Sequence, residues 1–396
     1  MSEDSGPGFG IAPETDGRDD RVVVVVGAGL GGMRTTEALR RRGYAGQITL
    51  VGAERHLPYD RPPLSKQTLR EGHSPPLLRS EEELRALQVD VRLNTRATGL
   101  SVDERCVETD GGPIGYDVLV IATGAVPRRV EGVRGSVLRT VDDAAQLRAN
   151  LGPGSRLAVI GAGLVGCEVA ASARQMGIHV SLVDVQPAPA VRVLGPKVGE
   201  LLARMHIEHG VELRLGVGVT GARDGGLGLT DGTMIDCDVV LEAVGAIPDV
   251  GWLTGSRLGL GNGILCDADG RAAPGVFAVG DVANWAGSRD EHWTSACHQA
   301  DRVAATIVDQ PGPVPDVRYW WSDQFDVKLQ GLGSPLPDDD VEILFWGAKA
   351  RPVAVYSRNS RLTGLVGFSA AGAIMRLRAD VADGTDVGDV LARLAS

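Results

Sequence analysis

The sequence lacks any uninterrupted apolar run of 18 residues, so it predicts no membrane-spanning helix. Its first residues are acidic and include glycine and proline, without the charged-then-apolar pattern of a signal peptide. We predict a flexible tail over residues 1–20. The sequence therefore gives no sign of a membrane span or of a targeting segment.

Cysteine is scarce and scattered. The chain has five cysteines, and the closest pair, Cys237 and Cys266, is 29 residues apart. This spacing argues against a local dithiol centre, a zinc ribbon or an iron–sulfur cluster held by this chain. We therefore predict no bound metal and a reduced, cytoplasmic protein.

Positive charge is in the minority. The 40 Lys and Arg residues face 51 Asp and Glu residues, a formal net charge of −11. This balance argues against a nucleic-acid binder that works through a global basic field. A length of 396 residues with 43% hydrophobic residues predicts two or three domains with real cores.

A glycine motif, Gly27-x-Gly29-x-x-Gly32, follows a short apolar strand and precedes a predicted helix. Gly27 permits the tight turn, Gly29 lets the backbone approach a pyrophosphate, and Gly32 lets the helix pack on the strand. The next predicted strand, QITLVGAE, ends at Glu54, whose carboxylate can accept both ribose hydroxyls of an adenosine. A complete unit of this kind predicts a dinucleotide site; a glycine turn that binds nothing is the alternative.

The same unit occurs a second time. Gly161-x-Gly163-x-x-Gly166 again lies between a strand and a helix, and Asp184 takes the place of Glu54. Two complete units predict two dinucleotides. A tightly held flavin and an exchanging nicotinamide, with electrons passing between them, fit this pair.

The residues around Asp184 bear on the choice of nicotinamide. A carboxylate at this strand end binds a free ribose 2′-OH and repels a 2′-phosphate. Val185 and Gln186 follow it rather than arginines, so we expect NADH over NADPH. Arg192 is the nearby cation that could reverse this preference.

Five further segments narrow the interpretation: PYDRPPLSKQTL, LVIATGAVPR, GVFAVGDVANW, EHWTSACHQA and YWWSDQFDVKLQGLG. With the glycine motifs they resemble the FAD-dependent NADH:ferredoxin reductases of bacterial oxygenase systems. That family includes putidaredoxin reductase, rhodocoxin reductase and the reductase components of biphenyl-type dioxygenases. The resemblance covers roughly residues 21–370, and RPPLSK together with WSDQ are its most specific motifs.

The resemblance implies an α/β protein of two Rossmann-like dinucleotide-binding domains, with the NAD domain inserted in the FAD domain, plus a C-terminal α+β domain. The FAD-binding domain would comprise residues 21–131 and 261–317. The NAD-binding domain would comprise residues 132–260, and the C-terminal domain residues 318–396. Within the last domain we expect the strands VEILFWG, RPVAVYSR and LTGLVGF and one helix, AAGAIMRLRADVA.

Three residues receive catalytic roles from the resemblance. Lys66 would lie by the flavin N5 edge; a surface lysine is the alternative. Glu168 would lie near both Lys66 and the nicotinamide, and the alternative is an acid favoured by the helix dipole. Trp321 would lie beside the flavin on the ferredoxin-facing side, and a core aromatic is its alternative.

The resemblance also implies residues that only bind cofactor. Asp281 would bind the ribityl chain of FAD, and Arg61 would support its pyrophosphate, with a solvated arginine as the alternative. Further residues at this site would be Thr123, Gly124, Gly280 and Trp293, with Gln299 lining the pocket.

The segment EHWTSACHQA contains groups that suggest acid–base or thiol chemistry. Hydride transfer needs no side-chain base, because the cofactors carry the reaction, so we interpret His292 and His298 as structural. We expect no redox role for Cys297, since the reactive thiol of related flavoproteins would occupy the RPPLSK region.

The resulting hypothesis is that electrons pass from NADH through FAD, one at a time, to a separate iron–sulfur ferredoxin. That ferredoxin would feed a cytochrome monooxygenase or a Rieske dioxygenase. Arg302 and Arg318 are candidates for a local basic docking face; ordinary solvated arginines are the alternative. Rival functions are an NADH oxidase, a reductase of quinones or other acceptors, and a redox-sensing protein resembling apoptosis-inducing factor.

Overall fold

The computed structural model describes residues 20–223, 225–314 and 316–395. Residues 1–19 of the predicted tail lie outside the described residues. Across the described ranges, no helix is both long enough and apolar enough to cross a membrane.

The first unit is built on a six-stranded sheet. The central strand Val23–Val26 is wholly buried, because helices and loops cover both faces of the sheet. All neighbours are parallel except the edge strand Arg271–Ala273, which is antiparallel to Val276–Ala278. The order across the sheet is Arg271–Ala273, Val276–Ala278, Val118–Ile121, Val23–Val26, Ile48–Val51 and Val89–Arg92.

Smaller elements complete this unit. Its α-helices are Leu30–Arg41, Gln67–Glu71, Glu81–Ala86 and Trp293–Ile307. Its 3₁₀ helices are Pro62–Ser65, Gly251–Leu253 and Gly280–Val282. Two three-stranded sheets flank it, one of Ala97–Ser101, Cys106–Thr109 and Ile114–Gly115, the other of Leu260–Gly261, Gly263–Cys266 and Ala283–Trp285.

The second unit repeats the design on a smaller scale. Its four-stranded parallel sheet has the order Glu212–Leu215, His179–Asp184, Arg156–Ile160 and Val239–Glu242. Its helices are Val141–Asn150, Leu164–Gln175 and Val191–Glu208. An antiparallel sheet of Val219–Arg223, Gly226–Leu229 and Met234–Asp236 covers one side.

A two-stranded ribbon joins these units, since Ala125–Pro127 pairs antiparallel with Ala246–Pro248. Directly after this ribbon, Leu253 and Leu258 pack into the same apolar cluster as Val24 of the first sheet. The polypeptide thus returns to the first unit by residue 253, whereas the expected range of the FAD-binding domain restarts at residue 261. The domain limits as a whole remain a prediction.

The third unit is a five-stranded antiparallel sheet with helices on one face. Its strands, in order across the sheet, are Tyr319–Gln324, Val327–Gly333, Arg361–Phe368, Arg351–Arg358 and Asp340–Trp346. Its helices are Ala371–Arg376, Arg378–Asp383 and Val387–Ala395. The face away from these helices packs on the second unit, where Leu194, Val198 and Leu202 share an apolar cluster with Tyr356 and Val366.

Two local expectations are wrong. The strand before Glu54 ends at Val51, so the carboxylate lies in the following loop rather than at the strand end. The helix expected near the C-terminus is two helices separated at Leu377, where the backbone leaves helical geometry (φ −99°, ψ 13°). Leu377 is buried against the apolar cluster of the third unit, so tertiary packing overrides the local helical preference there.

Candidate functional site

The two glycine loops have nearly the same backbone geometry. Gly27 has φ 113° and Gly161 has φ 103°, a region that side chains other than glycine rarely adopt. A Cβ atom at Gly27 would lie 2.2 Å from the carbonyl oxygen of Ala122. At Gly161 it would lie 2.4 Å from the carbonyl oxygen of Ala243. Any other residue at either position would have a strained backbone, and its Cβ atom would clash with the carbonyl group just after the neighbouring strand. Glycine is therefore required at both positions.

The third glycine of each motif allows a helix to pack tightly on its loop. A Cβ atom at Gly32 would lie 1.9 Å from the carbonyl oxygen of Gly27, and a Cβ atom at Gly166 would lie 1.9 Å from the carbonyl oxygen of Gly161. Neither Gly32 nor Gly166 lines the cavity described below. Their contribution is close packing rather than contact with a ligand.

The middle glycines face open space. A Cβ atom at Gly29 or Gly163 would meet nothing within 4 Å. Each is the N-cap of its helix without a side-chain hydrogen bond to the first turn. Backbone N–H groups at both helix starts are thus available to an anionic group of a ligand.

One cavity of about 1200 Å³ runs between the two loops. All the predicted site residues except Gly32, Gly166 and Gln299 line it, together with Arg192 and His292. The lining members of the predicted set are Gly27, Gly29, Glu54, Arg61, Lys66, Thr123, Gly124, Gly161, Gly163, Glu168, Asp184, Gly280, Asp281, Trp293 and Trp321. Residues from all three units therefore meet at a single site.

The carboxylate of Glu54 is held by neighbouring side chains. The Tyr59 hydroxyl donates to its Oε2 at 2.5 Å, and the Arg61 guanidinium pairs with its Oε1 at 2.9 Å. Burial and the hydrogen bond to Glu54 raise the pKa of Tyr59. Tyr59 also accepts the backbone N–H of Val141 at 2.9 Å, so it joins this loop to the start of the helix Val141–Asn150 in the second unit.

Asp184 is held differently, by backbone groups. Its Oδ2 accepts the N–H of Ala162 at 2.6 Å and its Oδ1 accepts the N–H of Gln186 at 2.8 Å. Ala162 belongs to the second glycine loop, so the carboxylate ties the strand end to that loop. Arg192 lies on the same cavity.

Lys66 and Glu168 form a buried ion pair on the cavity wall. The Lys66 ammonium lies 2.7 Å from Oε2 of Glu168, with the two side chains 10% and 7% exposed. Ser65 donates to the same oxygen at 2.5 Å, and Ser322 donates to Oε1 at 2.7 Å. The carbonyl of Pro62 also accepts from Lys66 at 3.0 Å, so the ammonium has fixed partners on two sides.

An aromatic cluster lies at the side of the cavity nearest the third unit. The rings of Trp321 and Trp293 are 6.2 Å apart, and Tyr319 stacks on Trp321 at 6.1 Å. The Trp293 indole N–H donates to Asp60 at 3.0 Å. The Lys328 ammonium lies 5.8 Å from the centre of the Trp321 ring, within the range of a cation–π contact.

The predicted ribityl-binding residue, Asp281, pairs with Arg139 at 2.8 Å. Gln299 does not line the cavity; its amide oxygen instead accepts the backbone N–H of Gly280 at 2.8 Å. Thr123 donates to the carbonyl of Asp249 at 3.0 Å. Gln299 therefore supports the loop that carries Asp281 rather than facing a ligand.

The histidines and the cysteine of EHWTSACHQA occupy different places. His292 lines the cavity, stacks on Trp320 at 6.4 Å, and has its pKa lowered by burial. His298 contacts the carbonyl of Val314 at 3.2 Å and lies off the cavity. Burial raises the pKa of Cys297 to about 11, so its thiol is protonated near neutral pH. None of the five cysteines, all within the described ranges, lines the cavity.

Trp320, Arg139 and Tyr59 are among the cavity residues outside the predicted set. Trp320 is on the buried face of its strand, and strict alternation along YWWSDQ could have indicated it. Arg139 carries no local signal, because its partner Asp281 is far away in sequence. Tyr59 has one partner nearby, Glu54, and one far away, Val141. Only the folded chain brings these groups to the cavity.

The fold and the two glycine loops on one cavity define the class: an oxidoreductase with two dinucleotide sites. Residues 21–300 match the family model of pyridine nucleotide-disulphide oxidoreductases, and residues 319–393 match that of the reductase C-terminal domain.

Relatives and solved structures narrow this class. The chain is 36% identical over 336 residues to the ferredoxin–NAD(+) reductase component of a p-cumate 2,3-dioxygenase system of Pseudomonas putida, covering 80% of this chain and 82% of that one. It is 35% identical over 331 residues to the corresponding biphenyl dioxygenase component of Paraburkholderia xenovorans, covering 78% and 80%. The structure of a covalent putidaredoxin reductase–putidaredoxin complex superposes with a TM-score of 0.87 at 28% identity, covering 95% and 99%.

The chain belongs to the pyridine nucleotide-disulphide oxidoreductases and, within them, to the ferredoxin–NAD(+) reductase components of bacterial oxygenase systems. This membership confirms the predicted family and the predicted fold class. It also implies FAD and NAD(H) as cofactors.

Proposed function

We propose that this chain is an FAD-dependent NADH:ferredoxin oxidoreductase, which passes electrons from NADH to a separate ferredoxin that supplies a monooxygenase or a dioxygenase. The carrying observation is that both glycine loops line one cavity with the Lys66–Glu168 pair on its wall. Bound FAD supplies the chemistry that accepts a hydride and releases single electrons. The chain's own residues bind and orient the two cofactors.

The first loop is proposed to hold FAD and the second NADH. Residues for FAD are Gly27, Gly29, Glu54, Arg61, Lys66, Thr123, Gly124, Gly280, Asp281 and Trp293; those for NADH are Gly161, Gly163, Glu168 and Asp184. Gly32 and Gly166 serve the two sites indirectly, because each packs its helix against the glycine loop. Two buried nitrogens on the cavity, Nε of Arg139 and Nε1 of Trp252, have no hydrogen-bond partner among the described residues. Unpaired buried donors at this place fit a ligand that carries acceptor oxygens.

The ion pair has a proposed role at the reacting edge of the flavin. A fixed ammonium favours negative charge on a reduced ring, and Lys66 is fixed by Glu168 and the carbonyl of Pro62. Trp321 and Trp293 are proposed to flank the ring on the side facing the third unit.

NADH is the proposed nicotinamide. Asp184 has its carboxylate on the cavity and would repel a ribose 2′-phosphate. Its two backbone donors, from Ala162 and Gln186, keep the carboxylate in place. Arg192 is also on the cavity, so the coenzyme comparison is part of the test.

The ferredoxin docking face is not supported at the two arginines named from the sequence. Arg302 lies 3.6 Å from Asp269, and Arg318 lies 3.0 Å from Asp290. Both positive charges are balanced locally, so solvated, ion-paired arginines describe them better. We also propose a cytoplasmic location, supported by five cysteines that are all free in the structure.

The function is tested with purified holoenzyme, NADH or NADPH, cytochrome c and a panel of bacterial ferredoxins. We expect fast cytochrome c reduction with NADH only when a ferredoxin is present. Oxygen uptake is recorded in parallel. If NADH is consumed at the same rate without ferredoxin while oxygen disappears, the protein is an oxidase and the proposal is wrong.

A further inference from the structure

A continuous chain of buried polar side chains leads away from the Lys66–Glu168 pair. Ser322 donates to Oε1 of Glu168 at 2.7 Å, and the Gln324 amide nitrogen donates to Oγ of Ser322 at 3.1 Å. The ring Nε2 of His206 lies 2.9 Å from the Gln324 amide oxygen. Ser322, Gln324 and His206 are fully buried, so none of these contacts competes with water.

This chain of hydrogen-bonded side chains crosses the junction of the three units. Lys66 belongs to the first unit, Glu168 and His206 to two helices of the second, and Ser322 and Gln324 to the edge strand of the third. Ser322 and Gln324 share a face because side chains alternate along a strand. Residues more than a hundred positions apart in sequence are thus linked by direct hydrogen bonds.

The direction of the bonds is determined by the chemistry of the groups. The Gln324 nitrogen faces Ser322, so its oxygen faces His206 and can only accept. Nε2 of His206 therefore carries the proton. Its Nδ1 is buried without a hydrogen-bond partner among the described residues, as a bare acceptor nitrogen in the neutral ring can be. Burial also lowers the pKa of His206, which keeps the ring neutral.

We propose that His206, Gln324 and Ser322 form a positioning chain that fixes the Glu168 carboxylate, and through it the Lys66 ammonium, at the cofactor cavity. Every donor in the chain points towards Glu168, which also accepts from Ser65 at 2.5 Å. These three are positioning residues, because none of them lines the cavity. The inference rests on the proposed function, in which Lys66 lies by the flavin.

The first variants remove the two ends of the chain. Ser322→Ala takes the donor from Oε1 of Glu168, and His206→Phe removes the Nε2 donor while keeping a planar ring. We expect turnover with NADH and ferricyanide, which needs no ferredoxin, to fall about tenfold in Ser322→Ala and about threefold in His206→Phe. The KM for NADH should change less than kcat, since the second glycine loop and Asp184, which are proposed to hold most of the dinucleotide, are not altered.

A double mutant distinguishes two possibilities: that His206 acts through Ser322, or that the two residues act independently. If His206 acts only through Ser322, the double variant should fall about tenfold, as Ser322→Ala alone does. Ser322→Thr keeps the hydroxyl and should restore most of the activity. The proposal would be overturned if the fold-decreases in turnover of the two single variants multiplied in the double variant. It would also be overturned if a well-folded Ser322→Thr variant did not recover activity.

A readout without turnover is the midpoint potential of the bound flavin. Without its fixed donor, the Glu168 carboxylate is held less firmly beside Lys66 and balances less of the ammonium charge. More positive charge near the flavin stabilises its reduced form, so the midpoint potential should rise in Ser322→Ala and in His206→Phe. The matched control is His209→Phe: His209 stacks on Phe325 at 3.9 Å, near His206, and its ring contacts the Met205 carbonyl rather than the chain. It should change neither potential nor kcat. A lower melting temperature in His206→Phe with an unchanged potential would reduce the chain to a merely structural role.

The tautomer provides an independent test on wild-type holoenzyme. Nitrogen NMR of ¹⁵N-histidine-labelled protein should show His206 neutral and protonated at Nε2. A proton on Nδ1 would contradict the direction of the chain. These readouts involve no ferredoxin, so a failure of ferredoxin reduction would refute the proposed function without affecting them.

Discussion

The two glycine loops share a backbone and differ in how their carboxylates are held. Glu54 is held by the side chains of Tyr59 and Arg61, whereas Asp184 is held by two backbone N–H groups. At the first site, two side chains of the same loop contact the carboxylate. At the second site, the carboxylate accepts hydrogen bonds only from backbone N–H groups among the described residues. This difference fits a resident flavin at the first loop and an exchanging nicotinamide at the second.

Alanine at the first glycine of each loop gives the largest expected effect. Gly27→Ala and Gly161→Ala each combine a positive φ with a clash against a carbonyl oxygen, and strain of this kind costs on the order of 1–3 kcal/mol. With the clash added, we expect about 100-fold weaker flavin retention in Gly27→Ala. Gly161→Ala should keep its flavin and raise the KM for NADH by about 100-fold. The measurements are the flavin-to-protein absorbance ratio and steady-state kinetics.

Gly43→Ala is the matched control for strain alone. Gly43 has φ 86°, and a Cβ atom there would meet nothing within 4 Å. Its flavin content and its KM should stay near the wild-type values. Loss of flavin from Gly161→Ala with retention in Gly27→Ala would mean that the two cofactors are assigned to the wrong loops.

Neutralising each carboxylate should give a smaller and more selective effect. Asp184→Asn removes the charge that repels a 2′-phosphate. It also loses one of the two backbone hydrogen bonds and weakens the other, because an amide nitrogen cannot accept from an N–H group. We expect the preference of kcat/KM for NADH over NADPH to fall about tenfold. Glu54→Gln should leave that preference unchanged and weaken flavin retention instead. An unchanged preference in Asp184→Asn would show that Arg192 or another group selects the coenzyme.

Thiol reactivity gives the smallest expected signal. With a pKa of about 11, Cys297 is protonated at pH 8, so alkylation by iodoacetamide should be about 100-fold slower than for an unperturbed thiol. The rate should rise about tenfold per pH unit from pH 7 towards pH 10, because only the thiolate reacts. Cys167, fully buried in the helix after the second glycine loop, should stay unlabelled while the fold is intact.

Mass spectrometry of labelled peptides across this pH range measures both cysteines. Rapid labelling of Cys297 at pH 7 would contradict the raised pKa. It would also reopen a thiol role near the cavity, which the scattered cysteines argue against.

The two glycine loops of the cavity were predictable because each is part of a local motif. A strand, a glycine turn and a helix follow one another within about 20 residues, and steric rules act on neighbours in sequence. Thus Gly27 and Gly161 have the positive φ that a tight turn requires. The family resemblance added Lys66 and Glu168, which the structure brings to 2.7 Å.

Other features had no local signal. The pairing of Arg139 with Asp281 joins residues 142 positions apart, and the chain from Glu168 to His206 passes through a strand of another unit. The buried Ser322 and Gln324 read in sequence as ordinary polar residues of a half-exposed strand. Their burial follows from the third sheet packing on the second unit.

By itself the sequence determined that this protein carries two dinucleotide units and belongs with flavin–nicotinamide reductases. Backbone sterics and strand–turn–helix periodicity act over short stretches, so they can be read from neighbouring residues. Only the tertiary structure decided what fixes Glu168 and Lys66 between those units. Hydrogen bonds between distant side chains depend on how the packed units meet, and that arrangement exists only once the apolar faces are buried.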